Sequence, residues 1–194
     1  MATKPKLRPW KLLESRKIFG VPPWFEIFRH RVRLPGGRVV DDYHRIRVSD
    51  YAVIVAQTIQ GKYIVERQYK HGVGRVTLMT PGGFLRRGEN PLRAAKRELL
   101  EETGYVARHW VNLGRYVADA NYVCSHVHIF LATEARKIAR PASGDLETMS
   151  IELYSARQLT EALRRGQLQA VSVVAALALV LPLDGCGLDC RRLR

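Results

Sequence analysis

The chain reads as an α/β protein carrying a β extension at its N-terminus. Three observations predict this. Apolar residues dominate two neighbouring extended stretches, residues 51–59 and the segment KYIVERQYK, joined by a turn at Gln60 and Gly61. A helix with a stop signal at each end occupies residues 90–104, and two further helical segments follow residues 155 and 169.

The elements follow in order. Residues 24–48 form two extended segments joined by a turn at Pro35, Gly36 and Gly37, where proline fixes the entry and glycine tolerates positive φ. Phe25, Ile27, Arg29 and Arg31 share one side of the first segment, and Trp24, Glu26, Phe28 and His30 the other. Neither side is cleanly apolar, which suits a small sheet packed against another domain or subunit and points to a homodimer. A glycine-containing loop, residues 71–74, leads to RVTLMTPGG, whose Pro81, Gly82 and Gly83 allow a close backbone turn. Asn90 caps the next helix, Pro91 fits its first position and Gly104 ends it. Strands are expected at residues 110–113, 126–132 and 151–153, with a polar loop over 136–148. Ser155 with Gln158 makes a capping-box pattern, Gly166 stops that helix, and an apolar helix covers 169–181. The expected organisation is an N-terminal β extension over 1–50, a main domain over 51–182 and a tail over 183–194.

Of the residues, 46% are hydrophobic and 26% charged, enough apolar material for a full core and far from a disordered composition. Three cysteines, Cys124, Cys186 and Cys190, are an odd number without a dense framework, so a reducing compartment, the cytoplasm, is expected. The longest apolar run, residues 171–181, falls well short of the ~20 residues that span a bilayer. No membrane partner is expected. A formal charge of +14 favours anionic ligands, either small phosphorylated molecules or nucleic acid, without choosing between them.

The chemistry concentrates on the capped helix. At about 100° per residue, Leu92, Ala95 and Leu99 form a stripe that can face a sheet, while Glu98, Glu101 and Glu102 cluster on an adjoining surface. Carboxylates so close repel one another unless a cation compensates them, and Arg97 offsets only part of that charge. Hard oxygen donors suit Mg²⁺, which keeps open positions for waters and phosphate oxygens. Spacing alone leaves two readings open, a metal-binding group or a solvated acidic face.

Gly83, Glu89, Arg97, Glu98, Leu99, Glu101, Glu102, Gly104 and Tyr105 resemble the signature of the Nudix hydrolases at every fixed place. The resemblance implies a Nudix-type α/β/α sandwich with a mixed sheet, and Mg²⁺-dependent hydrolysis, with Mn²⁺ a possible substitute, of a nucleoside diphosphate linked to another moiety. It implies Glu98, Glu101 and Glu102 as metal ligands, with the carbonyl of Gly82 joining them. VERQYKHG, PGGF and YSARQLTEALRRGQLQA extend the similarity, over roughly residues 24–180, to the ADP-ribose pyrophosphatase branch, whose members act on ADP-ribose or related nucleoside diphosphate sugars and often dimerise through an N-terminal sheet. In that branch the place of Lys70 approaches the diphosphate, and a late-loop carboxylate activates water. Glu147 is the preferred base here, ahead of Asp145.

Other substrate contacts are open to structural readings. Either Arg67 or Gln68, on opposite sides of a strand, can face the ligand. His126 and His128 share a strand face that could touch phosphate or sugar. Trp24 offers a ring for base stacking, as do Phe25 and Phe28. Two departures stand out: Arg86 replaces an acidic residue usual in the branch, and GRYVADANYVCSHVHIFLA lacks the proline that marks ADP-ribose preference. Alternatives are a hydrolase of RNA 5′ ends, dinucleoside polyphosphates or nucleoside triphosphates, and a nucleotide-binding module without activity. RNA is disfavoured because the basic residues are dispersed and lack interleaved aromatics.

Overall fold

The computed structural model describes residues 7–144, 146 and 148–181. They fall into two compact units, one running to Ser49 and including Val117–His126, the other comprising the rest.

The first unit is an antiparallel sheet of β1 (Lys11–Val21), β2 (Phe25–Arg33) and β3 (Val39–Val48) in that order. The turn expected near Pro35 is where β2 and β3 meet. Strand β1 was not foreseen, and its register explains why. Bulges between Leu12 and Glu14 and between Lys17 and Phe19 shift the chain by a residue, so its apolar side chains never alternate regularly with its charges. Segment 117–126 docks on β3: Ile46 donates to the carbonyl of Tyr122 and accepts from Cys124, both at 2.7 Å. Asp119 shapes this segment by accepting from the amides of Tyr122, Asn121 and Val123, and these bonds lower its pKa. Val32 is the buried hydrophobic side chain of this sheet, whereas Leu12, Ile18, Phe19, Val21 and Trp24 are exposed.

The second unit holds the main sheet, apart from Val117 and His126 at the ends of two strands: β4 (Tyr51–Thr58), β5 (Tyr63–Lys70), β6 (Arg75–Met79), β7 (Tyr105–Val106), β8 (His109–Val117), β9 (His126–Lys137) and β10 (Met149–Tyr154). The order is β10-β5-β4-β9-β7, with β6 also on β5 and β8 also on β9. Its β4–β9 pair is parallel and the β5 pairs are antiparallel, so the sheet is mixed as expected. Helix α1 (Pro91–Thr103) lies on one face, where Ala95 and Leu99 pack with Ala52, Ile54, Ile64 and Phe130. Helices α2 (Ala156–Arg164) and α3 (Val171–Ala178) lie on the other, where Leu159, Val173 and Leu177 pack with Val53, Val55, Val65 and Ile129. The result is the α/β/α sandwich. Because both faces are covered, β4 reads as a nearly continuous apolar run rather than an alternation.

One irregularity positions the functional loop. Strands β4 and β5 pair through only Ala56–Ile64 and Gln57–Tyr63 before separating. Residues 81–83 enter the gap: Ile54 donates to the carbonyl of Pro81 at 2.8 Å and Ala52 to that of Gly83 at 2.9 Å. The approach is so close that a Cβ on Gly82 would collide with the carbonyl oxygen of Ala52.

Helix α3 is shorter than the expected 169–181. Gly166, at φ 64°, turns the chain, and Ala170 starts the helix without a side-chain cap. Among the described residues no helix is long and apolar enough to cross a membrane. Cys124 is a free thiol, and Cys186 and Cys190 lie outside the described residues.

The capping box at α2 is complete, with Gln158 donating from its amide to Ser155 Oγ at 3.2 Å and accepting from the Ser155 amide at 2.9 Å. Ser155→Ala is expected to cost about 1 kcal/mol and to lower Tm by roughly 2–4 °C. Differential scanning calorimetry measures the shift.

Candidate active site

Helix α1 is pinned at both ends. Asn90 Oδ1 accepts from the amides of Leu92 at 3.0 Å and Arg93 at 3.3 Å. Gly104 takes φ 75° and donates to the carbonyl of Leu100, and a Cβ there would strike the carbonyl of Ala139. Leu92 of the expected stripe is only half-buried, and Ala94 joins Ala95 and Leu99 inside. This fixes which face turns towards residues 81–84.

On that face Arg97 organises the acidic groups. Its Nε and Nη2 donate to the two oxygens of Glu89 at 3.0 and 2.9 Å, a forked pair. Nη1 donates to Glu98 at 2.6 Å and Glu101 at 3.0 Å, and Nη2 also reaches the carbonyl of Phe84 at 3.2 Å. The bonds from Arg97, reinforced by the Arg86 amide, lower the pKa of Glu89 from 4.5 to about 2. Reciprocally, Glu89 foremost, then Glu98 and Glu101, raise that of Arg97. Glu89 thus anchors the loop through Arg97.

The loop meets these carboxylates through its glycines. Glu102, 6% exposed, accepts from the amide of Gly82 at 2.7 Å. A Cβ on Gly83 would lie 2.5 Å from Glu98 Oε1, so only glycine leaves that carboxylate its place. Arg86 contributes a more distant contact, 3.5 Å from Glu101. Among the described residues Glu89, Glu98 and Glu101 share the Arg97 guanidinium and Glu101 also faces Arg86, while Glu102 holds the Gly82 amide, so four carboxylates gather against one loop. Among the described residues no three acidic, histidine or cysteine side chains are already spaced to hold an ion, since Arg97 lies between Glu98 and Glu101.

Gly82, Glu98, Glu101 and Glu102 are therefore brought together. Lys70 ends β5 at the hairpin to β6, and its carbonyl accepts from Val73 and Gly74. Arg67 faces Glu152 and Tyr154, donating to them at 2.7 and 2.8 Å, while Gln68 is buried and donates to Glu66. His128 Nε2 lies 3.5 Å from Asp50 Oδ2 on the α1 side of the sheet, and half-buried His126 opens β9. Trp24 belongs to the first unit, in the turn between β1 and β2, and is 64% exposed. Glu147 and Asp145 lie outside the described residues. Sequence reasoning passed over Asp50, which sits beside His128 and Arg115 and whose carbonyl accepts from Leu85. It is a single acid before a strand, with no motif to mark it.

The arrangement matches a known family over most of the chain. A NUDIX domain model covers residues 47–177. The chain belongs to the Nudix hydrolase family. The model for a nucleoside diphosphate sugar hydrolase N-terminal domain covers residues 10–46. Curated relatives include ADP-ribose pyrophosphatase of Bacillus subtilis (strain 168), 29% identical over 70% of this chain and 75% of its own length. Another is CMP-5'-(N-acetyl-N-hydroxy-3-aminopropyl)phosphonate hydrolase of Streptomyces rubellomurinus (strain ATCC 31215), 30% identical over 79% and 74%. Among solved structures, an ADP compounds hydrolase superposes with a TM-score of 0.80 at 22% identity, over 95% of this chain and 100% of that one, and shows the same fold. The protein is accordingly a Nudix pyrophosphohydrolase.

Two outcomes test this geometry. The Glu89 pKa is depressed on folding, so its contribution to stability is present above pH 4.5 and is lost as pH falls from 4.5 towards 2. Acid unfolding followed by circular dichroism is expected to lose part of its slope in that window in Glu89→Gln. Gly83→Ala is expected to cut activity by about 10²-fold or more, because it displaces Glu98, while Tm moves little, since a flexible carboxylate is what yields.

Proposed function

We propose that this Nudix enzyme hydrolyses the diphosphate bond of ADP-ribose or a related nucleoside diphosphate sugar, using Mg²⁺ or Mn²⁺, and releases a nucleoside monophosphate and a sugar phosphate. The observation that carries the reading is the gathering of Glu98, Glu101 and Glu102, three hard oxygen donors of one helix, against the Gly82–Gly83 loop. The names of the curated relatives and the match to a nucleoside diphosphate sugar hydrolase N-terminal domain support the substrate class.

The donors fit Mg²⁺: Glu98, Glu101, Glu102 and the Gly82 carbonyl are all hard oxygens. When bound, the ion supplies Lewis-acid neutralisation of phosphate charge. The chain's own residues do the rest. Arg97, locked to Glu89, orients Glu98 and Glu101, and Glu102 holds the Gly82 peptide by its amide. Lys70 offers a point charge to the diphosphate, and Arg67, His126 and His128 remain candidate phosphate or sugar contacts. Trp24 remains a candidate for the base. Glu147 is the proposed general base: it takes a proton from the attacking water, whose oxygen bonds to phosphorus as the bridging P–O bond breaks.

A panel of nucleoside diphosphate sugars, assayed with and without chelator, tests the reading. Metal-dependent release of nucleoside monophosphate is expected, and Glu98→Gln and Glu102→Gln should each lower kcat by at least about 10²-fold. Turnover unaffected by chelation, or confined to RNA 5′ ends or nucleoside triphosphates, would overturn it.

The exposed apolar side chains of β1 and the turn beyond it, Leu12, Ile18, Phe19, Val21 and Trp24, support a homodimer in which a second copy covers them. Analytical ultracentrifugation should give twice the chain mass, and Phe19→Asp with Val21→Asp should restore the single-chain mass.

A further inference from the structure

A cavity of about 500 Å³ opens at the end of the main sheet away from the acids, lined by Ile59, Val106, Ala107, Arg108, Glu134 and Arg136. Tyr105 packs with the cluster under α1, so Val106 and Arg136, paired directly across β7 and β9, point to the opposite face of the sheet. The acids lie on the α1 side, at the level where Ala52 and Ile54 hold residues 81–83. From Ile54 to Ile59 the chain runs on by roughly 15 Å.

We propose that this cavity is a second ligand site, which takes a phosphate monoester attached to an apolar body and grips the phosphate between Arg108 and Arg136. The proposal stands apart from the reaction assigned to Glu98, Glu101 and Glu102.

Arg136 reaches the cavity only through an irregularity in β9. Ala132 pairs with Ala56 and Ala135 with Thr58, so three steps of β9 span two of β4. Both alanines pack in the α1 cluster. Without the extra residue, alternation would turn Arg136 onto that covered face as well. The extra residue is taken up at Glu134, whose φ of 54° is the one positive value at a non-glycine among the described residues. Such a backbone is held at a cost, and here it delivers a guanidinium to the cavity that Glu134 itself lines.

The charges then select the ligand. Arg136 has no ion pair or side-chain hydrogen bond among the described residues. Arg108 and His109 each lie 3.5 Å from Glu134, longer than the ~2.7–2.9 Å of a closed charge-assisted bond, so the carboxylate steers Arg108 without using up its donors. A terminal phosphate offers three oxygens to two planar forks, a match that lysines would not make. The floor selects the remainder of the ligand: Ile59 is 71% exposed beside Val106 and Ala107, an apolar surface that a bare anion would leave in water. The volume agrees, because cavities that enclose a small organic ligand run to roughly 300–1,000 Å³.

The test is calorimetric titration of the full-length protein with phenyl phosphate and with inorganic phosphate, in chelator and at about 0.15 M salt, where diffuse surface attraction is screened. Phenyl phosphate is expected to bind about tenfold more tightly than inorganic phosphate, because its ring buries apolar area on Ile59. Arg108→Gln and Arg136→Gln should each weaken phenyl phosphate about tenfold or more. Ile59→Ser should bring its affinity down to that of inorganic phosphate. All three positions are exposed, and thermal melts verify that the variants are folded. No binding by the wild type, equal affinity for the two probes, or an affinity unchanged in either arginine variant overturns the assignment. Binding lost in Lys70→Ala places the anion at the diphosphate site instead and overturns it as well. None of these readouts involves turnover, so the result is independent of the diphosphate-sugar reading.

Discussion

The contact on which this structure turns is the forked bond between Arg97 and Glu89, because it ties the glycine loop to the helix that carries the other acids. One guanidinium meets three carboxylates and a peptide carbonyl. Arginine suits the position because its planar donors are set in a fixed fork, whereas lysine would bring the charge without the directions. Glu102 completes the attachment by holding Gly82. Loop and helix are thereby registered to each other by charge-assisted bonds within the main unit, next to the packed core formed by Ala95 and Leu99.

What could be read from the sequence was whatever depends on neighbours a few residues apart. The capped helix, the capping box at Ser155, the turn near Pro35 and the acidic face of α1 are all local, and each is found where its residues place it. The resemblance added the mixed sheet and the sandwich, which no short pattern contains. Arg97 shows the limit of the local view: its one-turn spacing to Glu101 was visible, but its forked bond to Glu89 crosses from helix to loop.

The features that escaped notice depend on long-range placement. Strand β1 hides behind two bulges that scramble its alternation. The partners of Arg67, Glu152 and Tyr154, come from β10, some 85 residues further along. Thr80 and Ser172 line one cavity because β6 and α3 meet on the same side of the sheet, a closeness that neither residue's own segment announces.

The opening between β4 and β5 has a wider consequence. Residues 81–83 use the amides of Ala52 and Ile54, so the loop that shapes the acidic site is also a piece of the sheet. A lineage drifting away from hydrolysis would still need Glu89 and Glu102 to hold the loop, and deleting Gly82 and Gly83 would strip a central strand of its bonding partners. Catalytic decay and structural decay are coupled at Gly82, and a descendant that had lost the reaction would still carry the bend built for it.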